Sequence, residues 1–382
     1  MQTKTPRVME SLLSPARAYG VVFLALMLFL SCDANEPEAD ERTPVLESLA
    51  SGVIVPRYVD FQLSMEAASQ AISTFCKAPT EAGLTESRQL LSAAYIQWKR
   101  SEVIAFGPHH DQPWAIAGRI DLWPARPDNI QELLDGSEPI DADFMPTTMN
   151  GAKGLPAIQW LLWAESDDTL LAFSQAPHGE RRCQILEAMA VDVTIGSQEM
   201  VQAWQPDGEN WIAELIAPPG PLNRFAGSED GVSELVNRMI FTVENIRLLK
   251  LGKPLGLDSG GTPQPNRLES AHSGDSLQAC LANLQGVNDL FLGNYEEYDG
   301  LGLVDLLPES RQEELIQAFD STYTQSLSAL SDITEPLAHS IENNPESVQA
   351  AIDQLLSLQY TLQVEIAAAL AVTVRFNDTD GD

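Results

Sequence analysis

The sequence predicts an all-α protein of two antiparallel helical bundles packed together. Three observations carry that reading. Apolar residues recur at spacings of three and four through long segments, and no alternating strand pattern of useful length appears. A Pro- and Gly-rich break, "APPGPLNRFAGSEDG" at 217–231, has long helical segments on both sides, as a junction between two bundles would.

In chain order, the first helix is expected from Val55 to Cys76, the second from Glu86 to Phe106 and another from Arg181 to Trp204. Ser233 to Leu251 follows and ends in "KLGKPLG", with lysines in the last turn and glycine and proline just beyond. A second break, "LDSGGTPQPNR" at 257–267, precedes helices over Ser276–Phe291 and Arg311–Leu330. The last helix is expected over Ser347–Phe376, with Val348, Ile352, Leu355, Leu362 and Ile366 along one face. Pro345 suits its first turn, where a missing N–H costs nothing. The bundles are therefore assigned to residues 51–222 and 223–376. The stretch 107–155 reads as an irregular insert rich in Pro, Trp and Asp. Long irregular stretches inside compact domains usually serve function, which directs attention to Gly107 through Trp163.

The composition narrows the function. A hydrophobic share of 44% supports a buried core. Against 55 acidic residues stand 22 basic ones, a net charge of -33, so the surface repels phosphate backbones and no nucleic-acid partner is expected. It attracts cations, although a solvated acidic face is the commoner meaning of such a balance.

At the N-terminus, Lys4, Arg7 and Arg17 precede an apolar run from Val21 to Leu30 that is shorter than the roughly 20 residues of a membrane span. Residues 1–31 read as a secretory signal. "FLSC" then resembles the bacterial lipoprotein signal, with Cys32 as the lipidated first residue and Phe29 where leucine is usual. An ordinary signal peptide with a chance cysteine is the alternative. Residues 32–50 read as an acidic linker, and Asp33 resembles the inner-membrane retention signal of enteric bacteria. An exported chain meets oxidising conditions, and Cys76, Cys183 and Cys280 remain in its body. At least one stays free, and Cys76 with Cys183 is the expected disulfide. The tail "NDTDGD" at 377–382 hints at a calcium loop but has no downstream acidic ligand.

Several stretches together resemble the imelysin family of bacterial exported proteins. They are "WKRSEVIAFGP" from Trp98, "RIDLWP" from Arg119, "GAKGLPAIQWLLW" ending at Trp163, "RRCQILEAMAVDV" from Arg181, "LLKLGKPLG" and "ESAHSGDSLQACLANLQGVNDLFLG" from Glu269. They occur in the family's order. The resemblance implies a cleft between the two bundles, a periplasm-facing setting and an association with iron uptake. It also implies a metallopeptidase activity described early for the family, through a metal-binding Gly-x-His-x-x-Glu motif.

This sequence departs from that motif. Gly154 is kept, but Pro156 stands at the histidine and Gln159 at the glutamate. Proline has no donor atom, and neutral glutamine is a poor metal ligand that cannot act as a general base. The stretch reads as a helix start, with Gly154 relieving a tight approach, Pro156 in the first turn and Gln159 as a polar remnant facing the cleft.

The resemblance selects Trp98 and Glu102 as further cleft candidates. Glu102 is also the one weak metal candidate, and a surface ion pair with Lys99 or Arg100 is its other reading. Arg119 and Asp121 either contact ligand or pair with one another to fix the insert, leaving Trp123 to pack. His109 and His110 read as solvent-facing loop residues, although one could join Glu102 or Asp111. Glu269 and Ser273 are cleft candidates from the second bundle, with Ser273 or Asp275 expected to cap the helix from Ser276.

The expected function is a lipid-anchored, periplasm-facing binding component of iron acquisition, without catalysis, in contact with the membrane and with an iron-transport component. Its cofactor stays open, with iron or another divalent metal as the candidates. A metallopeptidase using Glu102, Glu269 and a histidine is one alternative. A scaffold for a membrane transporter is the other.

Overall fold

Helices form where the apolar periodicity places them. In the computed structural model, which describes residues 40–141, 143–163, 169–175 and 178–375, the helices that frame the site are α1 (Arg42–Ser48), α2 (Val55–Lys77), α3 (Glu81–Ser101), α4 (Gly154–Trp163), α5 (His178–Trp204), α6 (Ser228–Asn245), α7 (Ser276–Leu292), α8 (Gln312–Ser331) and α9 (Pro345–Tyr360), and shorter ones such as Pro127–Asp135 lie between them. The signal peptide, Cys32, Asp33 and the acidic tail lie outside the described residues. Among those described, no helix is long and apolar enough to cross a membrane.

The protein is all-α. Its only described strands are the two-residue pair Asn294–Tyr295 and Tyr298–Asp299. One bundle is α2 laid against α3 and α5, with α4 on α5. The other packs α9 against α8 and α6, with α7 against α6 and α8. They meet where α3 lies along α7, so residues from 40 onward form one compact unit. Phe61, Trp98, Phe106, Trp204 and Trp211 are buried in the first bundle and its edge, and aromatic bodies of this size dominate core burial. Cys76 and Cys183 form a disulfide joining the end of α2 to the start of α5, with Cα atoms 5.3 Å apart. Cys280 is free and buried.

Three details differ from the expectations. The linker expected to reach residue 50 gives way to helix at Arg42, where Val45, Leu46, Leu49 and Ala50 are buried and α1 packs on α6. Four apolar residues at helical spacing outweigh the acidic composition of the stretch before them. The last helix stops at Ala369 rather than Phe376, because Asn237 on α6 takes over the backbone that follows. The helix from Ser276 has no side-chain cap: Asp275 instead accepts a hydrogen bond from Ser92 on α3 (2.8 Å), and Ser273 accepts one from the Asp275 N–H (3.4 Å).

The junction at 217–231 is organised by one buried carboxylate. Glu214 accepts hydrogen bonds from the backbone N–H groups of Leu222, Arg224 and Phe225. Wide π-helical turns continue α1 over Leu49–Ile54, α6 over Ile246–Gly252 and α9 over Thr361–Ile366. Such turns re-aim the side chains that follow them. The second of these carries Lys250.

Candidate functional site

The cleft between the bundles holds a cavity of about 210 Å³, with Glu102, His109, Trp123, Lys250, Glu269 and Asn283 in its wall. Each arrives from a different element. A tight 3-10 turn over Glu102–Ile104 ends α3 and directs Glu102 inward. His109 and Trp123 come from the insert, Lys250 from the π-helical turn after α6, Glu269 from the loop before α7, and Asn283 from α7.

At the inner end of this cavity lies a charge cluster. The Lys99 ammonium donates to Glu102 Oε1 (2.8 Å), Asp121 Oδ2 (2.5 Å) and Glu269 Oε1 (2.5 Å). Lys250 donates to Glu102 Oε2 at 2.8 Å and pairs with Glu269 Oε2 at 2.8 Å. Asn283 closes the group by donating to Glu102 Oε2 (2.8 Å) and to the Lys99 carbonyl (2.6 Å). Lys99 also sits 4.9 Å from the centre of the Tyr95 ring and is fully buried.

Electrostatics follow from this geometry. Burial works against the charge of Lys99, but Asp121, Glu102 and Glu269 together hold it well above the ordinary lysine range. Lys250 is likewise raised, by Glu102 and Glu269 against its burial. Burial pushes Glu102 up, and Lys250 and Lys99 more than reverse this, so its carboxyl is held well below the usual range. Asp121 goes the other way: burial and its two acidic neighbours raise it despite Lys99. His109 has no hydrogen-bond partner on either ring nitrogen and stacks on Trp98 with centroids 5.0 Å apart. Burial pushes its imidazole down to about 3, so it is neutral at pH 7.

The structure therefore brings Glu102, Asp121 and Glu269 together around Lys99, and sets His109 on the cavity wall with the two glutamates. It does not bring the other candidates to the cavity wall. Gly154 is buried with φ +81°, and a Cβ there would lie 2.5 Å from the Ile120 carbonyl oxygen. Its role is to let α4 start against the insert, and its neighbour Pro156 is buried in that first turn. Gln159 is buried among the packed turns of α4 rather than facing the cleft. Trp98 is buried behind His109, and Ser273 stays in its own loop. Arg119 does not pair with Asp121. Its guanidinium binds Asp192 (3.0 Å) and Glu199 (2.8 Å) on α5, because Asp121 faces Lys99. His109 is buried rather than solvent-facing, while His110 is exposed. Trp123 donates its indole N–H to the Leu268 carbonyl (3.2 Å).

The sequence suggests Lys99 only as a surface partner of Glu102, a pairing that forms but is buried, and it singles out neither Lys250 nor Asn283. A signal existed for the burial of Lys99, which follows Tyr95 by four and Leu91 by eight, on the face of α3 that is buried. Lys250 offered none beyond its place in a last turn.

Gly154→Ala is expected to lose about 1–3 kcal/mol from the backbone conformation alone, with the carbonyl contact adding to it. Gly260→Ala, at φ +68° with open space around it, is expected to lose only the backbone part. Urea unfolding of both variants checks the difference, and equal losses would remove the close approach from the explanation.

Whether a metal ion suits this site is decided by the donor set. Three carboxylate oxygens, one from each of Glu102, Asp121 and Glu269, lie within 4.8 Å of one another, a spacing that suits a hard cation. The Lys99 ammonium already stands within hydrogen-bond distance of all three residues, so the cluster as built does not fit a metal ion. The Gly154–Gln159 stretch offers no ligand to replace them.

Comparison with known proteins agrees with the fold. The chain is 25% identical over 343 residues to iron-regulated protein A of Synechococcus elongatus, covering 89% of this chain and 86% of that protein. An imelysin-like protein from Psychrobacter arcticum superposes with a TM-score of 0.71 at 17% identity, over 88% of this chain and 97% of that one. An iron-regulated protein A precursor from Parabacteroides distasonis gives 0.70 at 16% identity over the same shares. The family model described as Imelysin matches residues 54–362, which is most of the sequence. The chain belongs to the imelysin family.

Proposed function

We propose that this chain is a non-catalytic binding component linked to iron acquisition, which takes a small polar ligand in the cleft between its bundles. The observation that carries this reading is the set of unsatisfied polar atoms around one cavity. Both His109 nitrogens and the Asn283 side-chain oxygen are buried without a partner, beside the partly exposed Glu102 carboxylate. Buried polar groups are normally paired, so several orphans around one cavity are what a hydrogen-bonding ligand would satisfy. The absence of catalysis is supported by chemistry: both glutamates are tied to lysines, and Pro156 and Gln159 supply neither metal ligand nor base. The iron link rests on the names of the relatives.

The experiment is native mass spectrometry of protein purified without chelators, beside a casein hydrolysis assay with and without zinc. One bound small molecule per wild-type chain is expected, and none in Ala105→Trp, which fills the cavity. No hydrolysis is expected from either. Zinc-dependent hydrolysis lost in Glu102→Ala would replace this reading with a metallopeptidase. Absence of any bound molecule would favour the transporter scaffold.

The same proposal places the protein at the periplasmic face of the cell envelope, held by lipid on Cys32. The Cys76–Cys183 disulfide supports an oxidising compartment. Cys32→Ser is expected to move the protein from the membrane fraction to the soluble periplasm, and unchanged membrane retention would argue against a lipid anchor.

A further inference from the structure

We infer that Glu102, Asp121 and Glu269 form a binding site for a hard divalent cation that the protein keeps filled with its own Lys99 ammonium, so that removing this ammonium opens the site to metal. The donor geometry is the first support. Lys99 Nζ lies 2.5–2.8 Å from its three carboxylate oxygens. Calcium takes carboxylate oxygens at about 2.3–2.6 Å, so an ion could stand close to the ammonium position with little movement of the carboxylates.

The division of oxygens is the second. Lys99 uses Oε1 of both glutamates, whereas Lys250 uses Oε2 of both. A metal replacing Lys99 would therefore leave Lys250 in place. Asp121 Oδ1 is buried and unpartnered, which leaves one further oxygen available to the ion. His109, also orphaned, opens on the cavity that Glu102 and Glu269 line.

Charge decides the occupancy. Three carboxylates against two ammonium groups leave one net negative charge; without Lys99 two remain, which a divalent cation neutralises. In the wild type the Lys99 side chain is wholly buried, with each ammonium proton engaged, and a dication beside it would meet a like charge in a site shielded from water. The inference stands independently of the ligand proposed for the cavity.

The test is calorimetric titration of the folded protein with Ca(II) alone and with Mn(II) alone, comparing wild type with Lys99→Met. The wild type is expected to give no saturable single-site binding. Lys99→Met is expected to bind one ion per chain, to melt at a higher temperature when the ion is present, and to lose both effects when Glu269→Gln is added. Single-site binding by the wild type that disappears in Glu269→Gln would overturn the inference, as would a folded Lys99→Met that binds neither ion. Should Lys99→Met unfold alone, refolding it and Lys99→Gln with each ion decides: recovery of a cooperative melt supports the site, and no recovery in either overturns it.

Discussion

Between pH 6.5 and pH 3 the wild-type protein is expected to lose about 3–5 kcal/mol more stability than its His109→Phe variant. The cause is the buried, neutral imidazole. In the folded chain burial holds His109 down to about 3, and the favourable field of Glu102 does not compensate. In the unfolded chain it titrates near the ordinary histidine value of about 6.5. Because the folded value is the lower one, the unfolded state takes up a proton first as pH falls. Stability is thus complete above about 6.5 and declines toward 3, at about 1.4 kcal/mol per pH unit. Glu102 stays ionised through this window, since its carboxyl is held well below the usual range. Asp121, whose folded value is raised, works in the opposite sense and does so in both proteins. Phenylalanine keeps the stacking on Trp98 and removes two unpartnered nitrogens, so the variant should be no less stable at pH 7. Urea melts at pH 7 and pH 4 measure the effect. Equal acid losses in the two proteins would show that His109 takes its proton in the folded state.

Asp289→Ala is expected to cost about 3–5 kcal/mol, because it leaves the buried Arg57 guanidinium uncompensated where the bundles meet and leaves Arg100 with an exposed partner only. Asp289 on α7 accepts from Arg57 on α2 (2.8 Å) and Arg100 on α3 (2.7 Å) through the same oxygen. Arg57 is fully buried, and its remaining donation, to the Arg100 carbonyl (3.0 Å), does not neutralise it. Tyr295 covers both guanidinium groups at 5.3 and 4.5 Å, which restricts their access to water. Glu296, the other partner of Arg100, has a side chain 59% exposed, and Glu296→Ala should stay within about 1 kcal/mol. Denaturant unfolding of the two variants distinguishes a clamp at Asp289 from general surface charge. Similar small losses for both would remove Asp289 from the interface account.

The helices were legible because their causes are local. Val55–Lys77 is a helix because its own residues place Tyr58, Phe61, Met65, Ala68 and Ile72 on one face, and no distant partner is needed to see it. The helix at Arg42–Ser48 was missed for the opposite reason. Its short apolar stripe is justified by distant segments, the short helix Trp211–Ile216 and α6, which lie far along the chain. The candidate site divides in the same way. Glu102 and Glu269 could be picked out by resemblance, and the lack of a donor at Pro156 and Gln159 is a fact of covalent chemistry.

What those carboxylates face was decided by packing alone. Lys99 and Glu269 are 170 residues apart, and nothing local distinguishes a lysine in water from one enclosed by three acids. The same holds for Arg119, which passes over Asp121 two residues away for Asp192 on another helix. The sequence by itself determined the helices, the disulfide-competent cysteines and the loss of ligands from the Gly154–Gln159 stretch, because each depends on residue type and near neighbours. The tertiary structure decided the charge cluster and the cavity, because ion pairing between buried groups depends on which distant segments share the space from which water is excluded.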